Sequence, residues 1–320
     1  MPSLSPESLR IIEELATPDA ASPSERPVET LREELEALAR ARSDRPRVGA
    51  VEDRLIDGGN GPITVRLYHP EGRRGDGLAL YLHGGGWVRG SLETHDGLCR
   101  ALCASSELTI ASVDYRLAPE HPYPAAVDDC EAALRWAEGL AEERSPAHPL
   151  VSLMGDSAGA NLAAVVARRR AGRSRAALAS QVLICPVVDY EHESASFADF
   201  GVGHMLETTM MRRYWELYCP QVGLRTAPEL SPAREQDLSG APPTLVVTAA
   251  CDPLRDQGEA YAQRLVPAGV PTTAIRVAGV AHPFVLLSRD LEPARATLSY
   301  TGGWLAAAHA NHRASQGLRG

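Results

Sequence analysis

The stretch Pro149-Leu150-Val151-Ser152-Leu153-Met154 reads as a buried strand and Asn161-Leu162-Ala163-Ala164-Val165-Val166-Ala167 as a helix, with little more than Gly155-Asp156-Ser157-Ala158-Gly159 between them. A chain that reverses from strand to helix so tightly must hold Ser157 in a strained backbone conformation. Side chains two residues before and after the serine would collide with that turn, which gives Gly155 and Gly159 a steric reason to be glycine. The serine Oγ is then exposed above the sheet. The helix that begins at Ala158 directs free backbone N–H groups and the positive end of its dipole toward the same point.

A second glycine-rich turn follows another strand-like run. Leu78-Ala79-Leu80-Tyr81-Leu82 leads into His83-Gly84-Gly85-Gly86-Trp87, and three consecutive glycines let a loop present its N–H groups with no side chain in the way. A G-x-S-x-G motif alone occurs by chance in many chains, and glycines alone fit a flexible turn. Together, and in this order, they describe a nucleophilic serine with a ready-made oxyanion hole, the equipment of acyl transfer.

Strand-like and helix-like segments alternate from about residue 47 to the end, which implies an α/β fold with a mostly parallel sheet covered on both faces. Strands are expected near 47–57, 62–69, 77–83, 108–114, 149–155, 179–186, 243–250 and 272–278, and helices near 94–104, 125–143, 158–171, 256–267 and 291–310. With 320 residues, 44% of them apolar, the chain can bury a large core. Its net charge of -9 leaves no basic stripe for phosphates, which argues against binding nucleic acid or an anionic membrane. Arg168-Arg169-Arg170 reads instead as the solvated, dipole-favoured end of a helix.

The first residues lack the basic and apolar regions of a secretion signal, and no segment is long enough to cross a bilayer, so a cytoplasmic protein is expected. Cys99, Cys103, Cys130, Cys185, Cys219 and Cys251 lack C-x-x-C spacing and read as reduced core thiols. Cys99 and Cys103 share a helical face without further ligands nearby, so no metal site is expected.

Two stretches fall outside the alternation. Residues 1–45 carry helical patches, such as Glu29 to Leu38, joined by a Pro/Ser-rich segment near Pro18 to Arg26. Residues 191–235 follow the sixth strand and carry Phe197, Phe200, Met205, Met210, Met211, Tyr214, Trp215 and Tyr218. Such a stripe is often plain core, but an insertion at a strand's carboxyl end, where open α/β sheets bind ligands, reads here as a lid over the serine. The expected organisation is an N-terminal cap segment, 1–45, and a catalytic domain, 46–320, with the cap insertion at 191–235. Trp87, Tyr214 and Trp215 are the expected substrate contacts.

A serine nucleophile needs a base, and the base needs an orienting acid. Among ten histidines, His282 is selected because it follows the last expected strand at a carboxyl-end loop. His83 belongs to the glycine loop, His121 sits among prolines, and His309 and His312 lie in a tail. For the acid, Asp252 directly follows the strand-like run Thr244 to Ala250. Asp256 is its rival, one helical turn later, where an acid can simply favour a helix start.

With these residues in place, the chain resembles the hormone-sensitive-lipase branch of the α/β-hydrolases, the bacterial family IV esterases, over nearly its whole length. The resemblance is carried by H-G-G-G-W, G-D-S-A-G, Val113-Asp114-Tyr115-Arg116-Leu117-Ala118-Pro119-Glu120 with His121-Pro122-Tyr123-Pro124-Ala125-Ala126, and Asp252-Pro253-Leu254-Arg255-Asp256. It implies an α/β-hydrolase fold and a cap built from the N-terminal helices and the insertion. It also implies an oxyanion hole from the N–H groups of Gly85, Gly86 and Ala158, no cofactor, and frequent homodimers. Ala160 and Pro283 stand where the family commonly has glycine.

The function expected is hydrolysis of short to medium carboxylic esters, small molecules, through an acyl-enzyme on Ser157. The same triad would also serve an amidase, a carbamate hydrolase, or an acyltransferase or lactone-forming enzyme of a biosynthetic pathway. A non-catalytic ligand-binding protein on the same fold is the remaining alternative, and the presence of His282 speaks against it.

Overall fold

The computed structural model describes residues 2–15, 24–58, 60–72, 77–170, 177–190 and 194–317. Residue 171 and the starts of two expected stretches, 18–23 of the Pro/Ser-rich segment and 191–193 of the insertion, lie outside the described residues. The alternation of apolar runs resolves into the eight expected strands, β1 (Ala50–Asp57), β2 (Pro62–His69), β3 (Leu78–Leu82), β4 (Thr109–Asp114), β5 (Leu150–Asp156), β6 (Ala177–Ile184), β7 (Thr244–Cys251) and β8 (Thr272–Ala281). They form one sheet in the order β1-β2-β4-β3-β5-β6-β7-β8. The pairs β1/β2 and β2/β4 are antiparallel, and every pairing from β4 through to β8 is parallel.

Parallel neighbours need crossovers, and the helices supply them. α1 (Pro6–Leu15) and α2 (Val28–Arg42) precede the sheet; α3 (Asp96–Ser106), α4 (Ala125–Arg144), α5 (Ala158–Arg170), α6 (Ala195–Phe200), α7 (Thr208–Tyr218), α8 (Arg255–Leu265) and α9 (Glu292–Gly317) follow in chain order. Strand side chains alternate between two cores. Leu78, Leu80 and Leu82 of β3 join α4, α5 and α8 on one face, whereas Ala79 and Tyr81 join α3 and α9 on the other. A strand buried on both faces explains why β3, β5 and β7 are apolar without a polar alternation.

Two readings of charged residues change in three dimensions. Arg168, Arg169 and Arg170 do end α5, but they are half-buried in ion pairs rather than solvated. Arg168 meets Glu229 and Glu235, Arg169 meets Glu131, and Arg170 meets Glu138, because α4 and the segment after α7 pack against that helix end. His309 is no tail residue either. α9 lays it into the core, 2.9 Å from Ser152 Oγ, which is itself 2.7 Å from Ser180 Oγ. Among the described residues, no helix is long and apolar enough to cross a membrane.

Candidate active site

β5 is central, and its register with β3 sets Leu82 beside Gly155, so both glycine-bearing turns leave the sheet side by side. Ser157 occupies the tight turn before α5 with φ +54°, the left-handed region that an L residue enters only under constraint. Its N–H is tied to Ile184 O at 2.8 Å. A Cβ on Gly159 would overlap the carbonyls of Leu82 and His83, and one on Gly155 would overlap Gly159. The steric reading of both glycines therefore has concrete partners.

The strands β7 and β8 end on the same rim and carry the other two candidates. Asp252 follows β7 and His282 follows β8, and His282 Nδ1 lies 2.9 Å from Asp252 Oδ2. The second carboxylate oxygen, Oδ1, accepts the Leu254 N–H at 2.8 Å, which fixes the plane of the group. Asp256 is engaged elsewhere. It accepts the Ser196 N–H at 2.8 Å at the start of α6 and pairs with Arg255 at 2.8 Å, so it anchors the insertion and is not paired with the histidine.

Ser157 and His282 line one pocket with Gly84, Gly85, Gly86 and Pro283. Leu35 of α2 and Met205, Leu206 and Tyr214 of the insertion line it as well. Gly85 and Gly86 have φ of +125° and +65°, and among the described residues neither N–H has a protein acceptor. The N–H of Ala158 opens α5, where no preceding turn can accept it. These three donors thus border the serine turn.

What holds the glycine loop is a set of residues that the motifs did not single out. Asp156 is buried and accepts from Gly84 N–H at 2.8 Å and from Tyr81 OH at 2.5 Å, with His95 Nε2 3.2 Å away. Burial pushes its carboxyl up, but the His95 ring and the hydrogen bonds from His95 and Tyr81 outweigh that and hold it below the usual carboxylate range. Tyr115 donates to His83 O at 2.6 Å, and its ring stacks on His83 at 4.2 Å. Burial, reinforced by the nearby His95, lowers His83 to about 3, so the His83 ring is neutral at physiological pH. Only distance across the fold hid these partners; Asp156 itself stood inside the motif.

Two of the three expected substrate contacts lie elsewhere. Tyr214 lines the pocket, but Trp87 and Trp215 do not. Both are fully buried, with ring centres 4.7 Å apart, and Tyr218 stacks on Trp87 at 4.4 Å. The reason is geometric. Successive residues of α7 point about 100° apart, so when Tyr214 faces the pocket, Trp215 faces the core. Most of the aromatic and methionine stripe is core as well; of its eight residues only Met205 and Tyr214 reach the pocket.

Among the described residues, one cluster offers three possible metal ligands, Cys185 Sγ, Asp252 and His282, all within 4.8 Å. Asp252 and His282 already hold each other, and burial pushes the Cys185 thiol well up, so the thiol is protonated. Hydrogen bonding between acid and histidine accounts for this arrangement without an ion. All six cysteines are free and buried.

Residues 79–286 match the family described as the alpha/beta hydrolase fold. The chain is 40% identical over 251 residues to an arylesterase of Saccharolobus solfataricus, covering 78% of this chain and 81% of that one. It is 36% identical over 267 residues to an ethyl acetate hydrolase of Pseudomonas putida, covering 82% and 83%. Among solved structures, the hyperthermophilic esterase of Pyrobaculum calidifontis superposes with a TM-score of 0.88 at 36% identity, over 95% of this chain and 98% of that one.

Proposed function

Because this chain belongs to the α/β-hydrolase fold family, in its hormone-sensitive-lipase-like branch, we propose that it is a serine carboxylesterase in which Ser157, His282 and Asp252 form the catalytic triad. The observation that carries the reading is the shared pocket of Ser157 and His282, with the histidine's far nitrogen hydrogen-bonded to a buried carboxylate. Esterase relatives covering about four-fifths of each chain support the reaction class.

The reaction follows from the geometry. With Nδ1–H donated to Asp252, His282 Nε2 is the basic nitrogen and takes the Ser157 proton as Oγ attacks the ester carbonyl. The carbonyl oxygen becomes an oxyanion, which the N–H groups of Gly85, Gly86 and Ala158 receive. The imidazolium gives its proton to the departing alkoxide, leaving an acyl-enzyme and a free alcohol. Water then gives a proton to His282 and its oxygen to the acyl carbon, and collapse of the second oxyanion returns the proton to Ser157. Asp252 holds the ring and balances its transient charge.

A small-molecule ester with a short to medium acyl group is the proposed substrate, since Leu35, Met205, Leu206 and Tyr214 crowd the space beside Ser157. The reading extends to a cytoplasmic homodimer: buried free thiols suit a reducing compartment, and β8 is an edge strand of the sheet. Hydrolysis of p-nitrophenyl acetate, butyrate and octanoate tests the reaction and the chain length together. Turnover falling from butyrate to octanoate is the expected result; no turnover of any of the three contradicts the reading.

A further inference from the structure

Arg89 lines the pocket beside Ser157 and His282, yet it has no part in the reaction described above. Its stem lies against the glycine loop, since a Cβ on Gly85 would sit 3.2 Å from Arg89 Cγ. Its guanidinium carbon lies 5.7 Å from the centre of the Tyr214 ring, and that same ring covers Gly86. The cation is therefore fixed between the two oxyanion-loop glycines and α7.

It is fixed there without an anion. Arg89 Nε is buried and has no hydrogen-bond partner, and among the described residues no carboxylate pairs with the guanidinium. Among the described residues, the acids on the neighbouring segments are engaged with other groups: Glu34 with Arg26, Glu36 with Ser91 and Arg40, and Glu93 with Arg66. Asp156, in the same pocket wall, is taken up by Tyr81, Gly84 and His95. Stacking on Tyr214 holds the guanidinium in place but accepts none of its protons in line. A buried donor with no acceptor is costly unless a ligand supplies one, and the planar guanidinium fork matches a carboxylate.

We propose that Arg89 is a specificity-determining residue that binds the ionised carboxylate of an ester substrate carrying a second, free carboxyl group. This rests on the reading of Ser157 as the nucleophile. The carboxylate can enter on the acyl side, as in a dicarboxylic acid monoester, or on the alcohol side, as in an ester of a hydroxy acid.

Two matched pairs separate these sources: monoethyl glutarate against ethyl pentanoate, and the butyrate ester of 3-hydroxypropanoate against propyl butyrate. In one of the pairs the wild-type protein should favour the anionic member. That kcat/KM ratio should fall by about ten-fold or more in Arg89→Gln, chiefly through KM, and survive in part in Arg89→Lys. Added salt should weaken it in the wild-type protein. A preference for the neutral ester in both pairs, or a ratio indifferent to Arg89→Gln and to salt, overturns the proposal.

Calorimetric binding of the same anionic esters to Ser157→Ala gives a readout that needs no turnover. Binding that is lost on adding Arg89→Gln supports the anion site even if hydrolysis fails. Turnover of the neutral esters without binding of either anionic ester sinks this inference and leaves the esterase reading standing.

Discussion

At the scale of single residues, the two acids near the end of β7 divide their work. Asp252 meets the His282 ring, while Asp256 holds the start of α6 and Arg255. Asp252→Asn should therefore lower kcat by roughly 10³ to 10⁴, because the amide favours the wrong imidazole tautomer. Asp256→Asn should leave kcat within a few-fold and cost about 1 to 2 kcal/mol of stability through the lost contacts with Ser196 and Arg255. Kinetics and thermal unfolding of both variants check the pair, and the opposite ranking in kcat would transfer the orienting role to Asp256. That Ser157, Asp252 and His282 come to one rim could be read from sequence because each directly follows a strand-like run. Arg89 could not, since its lack of a carboxylate partner among the described residues is a property of the packed chain.

At the scale of elements, the glycine loop and α7 form two walls of the pocket beside Ser157. The loop hangs on Asp156, which receives donors from Tyr81, Gly84 and His95. Asp156→Ala leaves the buried Tyr81 hydroxyl without its acceptor and the Gly84 N–H with only the longer contact to His95 Nε2 at 3.3 Å, so it should destabilise by about 3 kcal/mol and also reduce kcat by releasing the Gly85 and Gly86 N–H groups. A variant of wild-type stability and rate would remove Asp156 from that role. On the other wall, Tyr214 and Trp215 should separate cleanly. Tyr214→Ala should shift the acyl-length optimum toward longer chains, with changes of about 1 to 3 kcal/mol in relative kcat/KM. Trp215→Ala should leave the profile unchanged but lower stability by about 3 to 5 kcal/mol, as the loss of a fully buried indole demands. The sequence showed an aromatic stripe in this segment, but which face of α7 turned to the pocket depended on its packing over Trp87, a contact 128 residues distant that no local pattern encodes.

At the scale of the whole molecule, the eight strands were legible as short apolar runs, and from β3 to β8 they alternate with helices because parallel neighbours need crossovers. Buried polar groups within that frame were not. His309 looked like a tail residue and proves to be core, where burial, with Arg313 and His312 adding to it, lowers its pKa from 6.5 to about 4. The folded chain therefore resists a proton that the unfolded chain accepts. Stability should be insensitive to this group above pH 6.5 and fall as pH drops from there toward 4, by about 3 kcal/mol in all. Urea unfolding of wild type and His309→Gln across that range checks this: the variant's acid slope should be shallower by about one proton, and parallel slopes would count against it.

The central claim is that one serine, Ser157, carries the acyl group under the care of His282. Intact-protein mass spectrometry after a fluorophosphonate, with peptide mapping of the adduct, tests it most directly. A single adduct on Ser157 is predicted, absent from Ser157→Ala and formed far more slowly in His282→Ala. Labelling of a different serine, or undiminished labelling of Ser157→Ala, would contradict it.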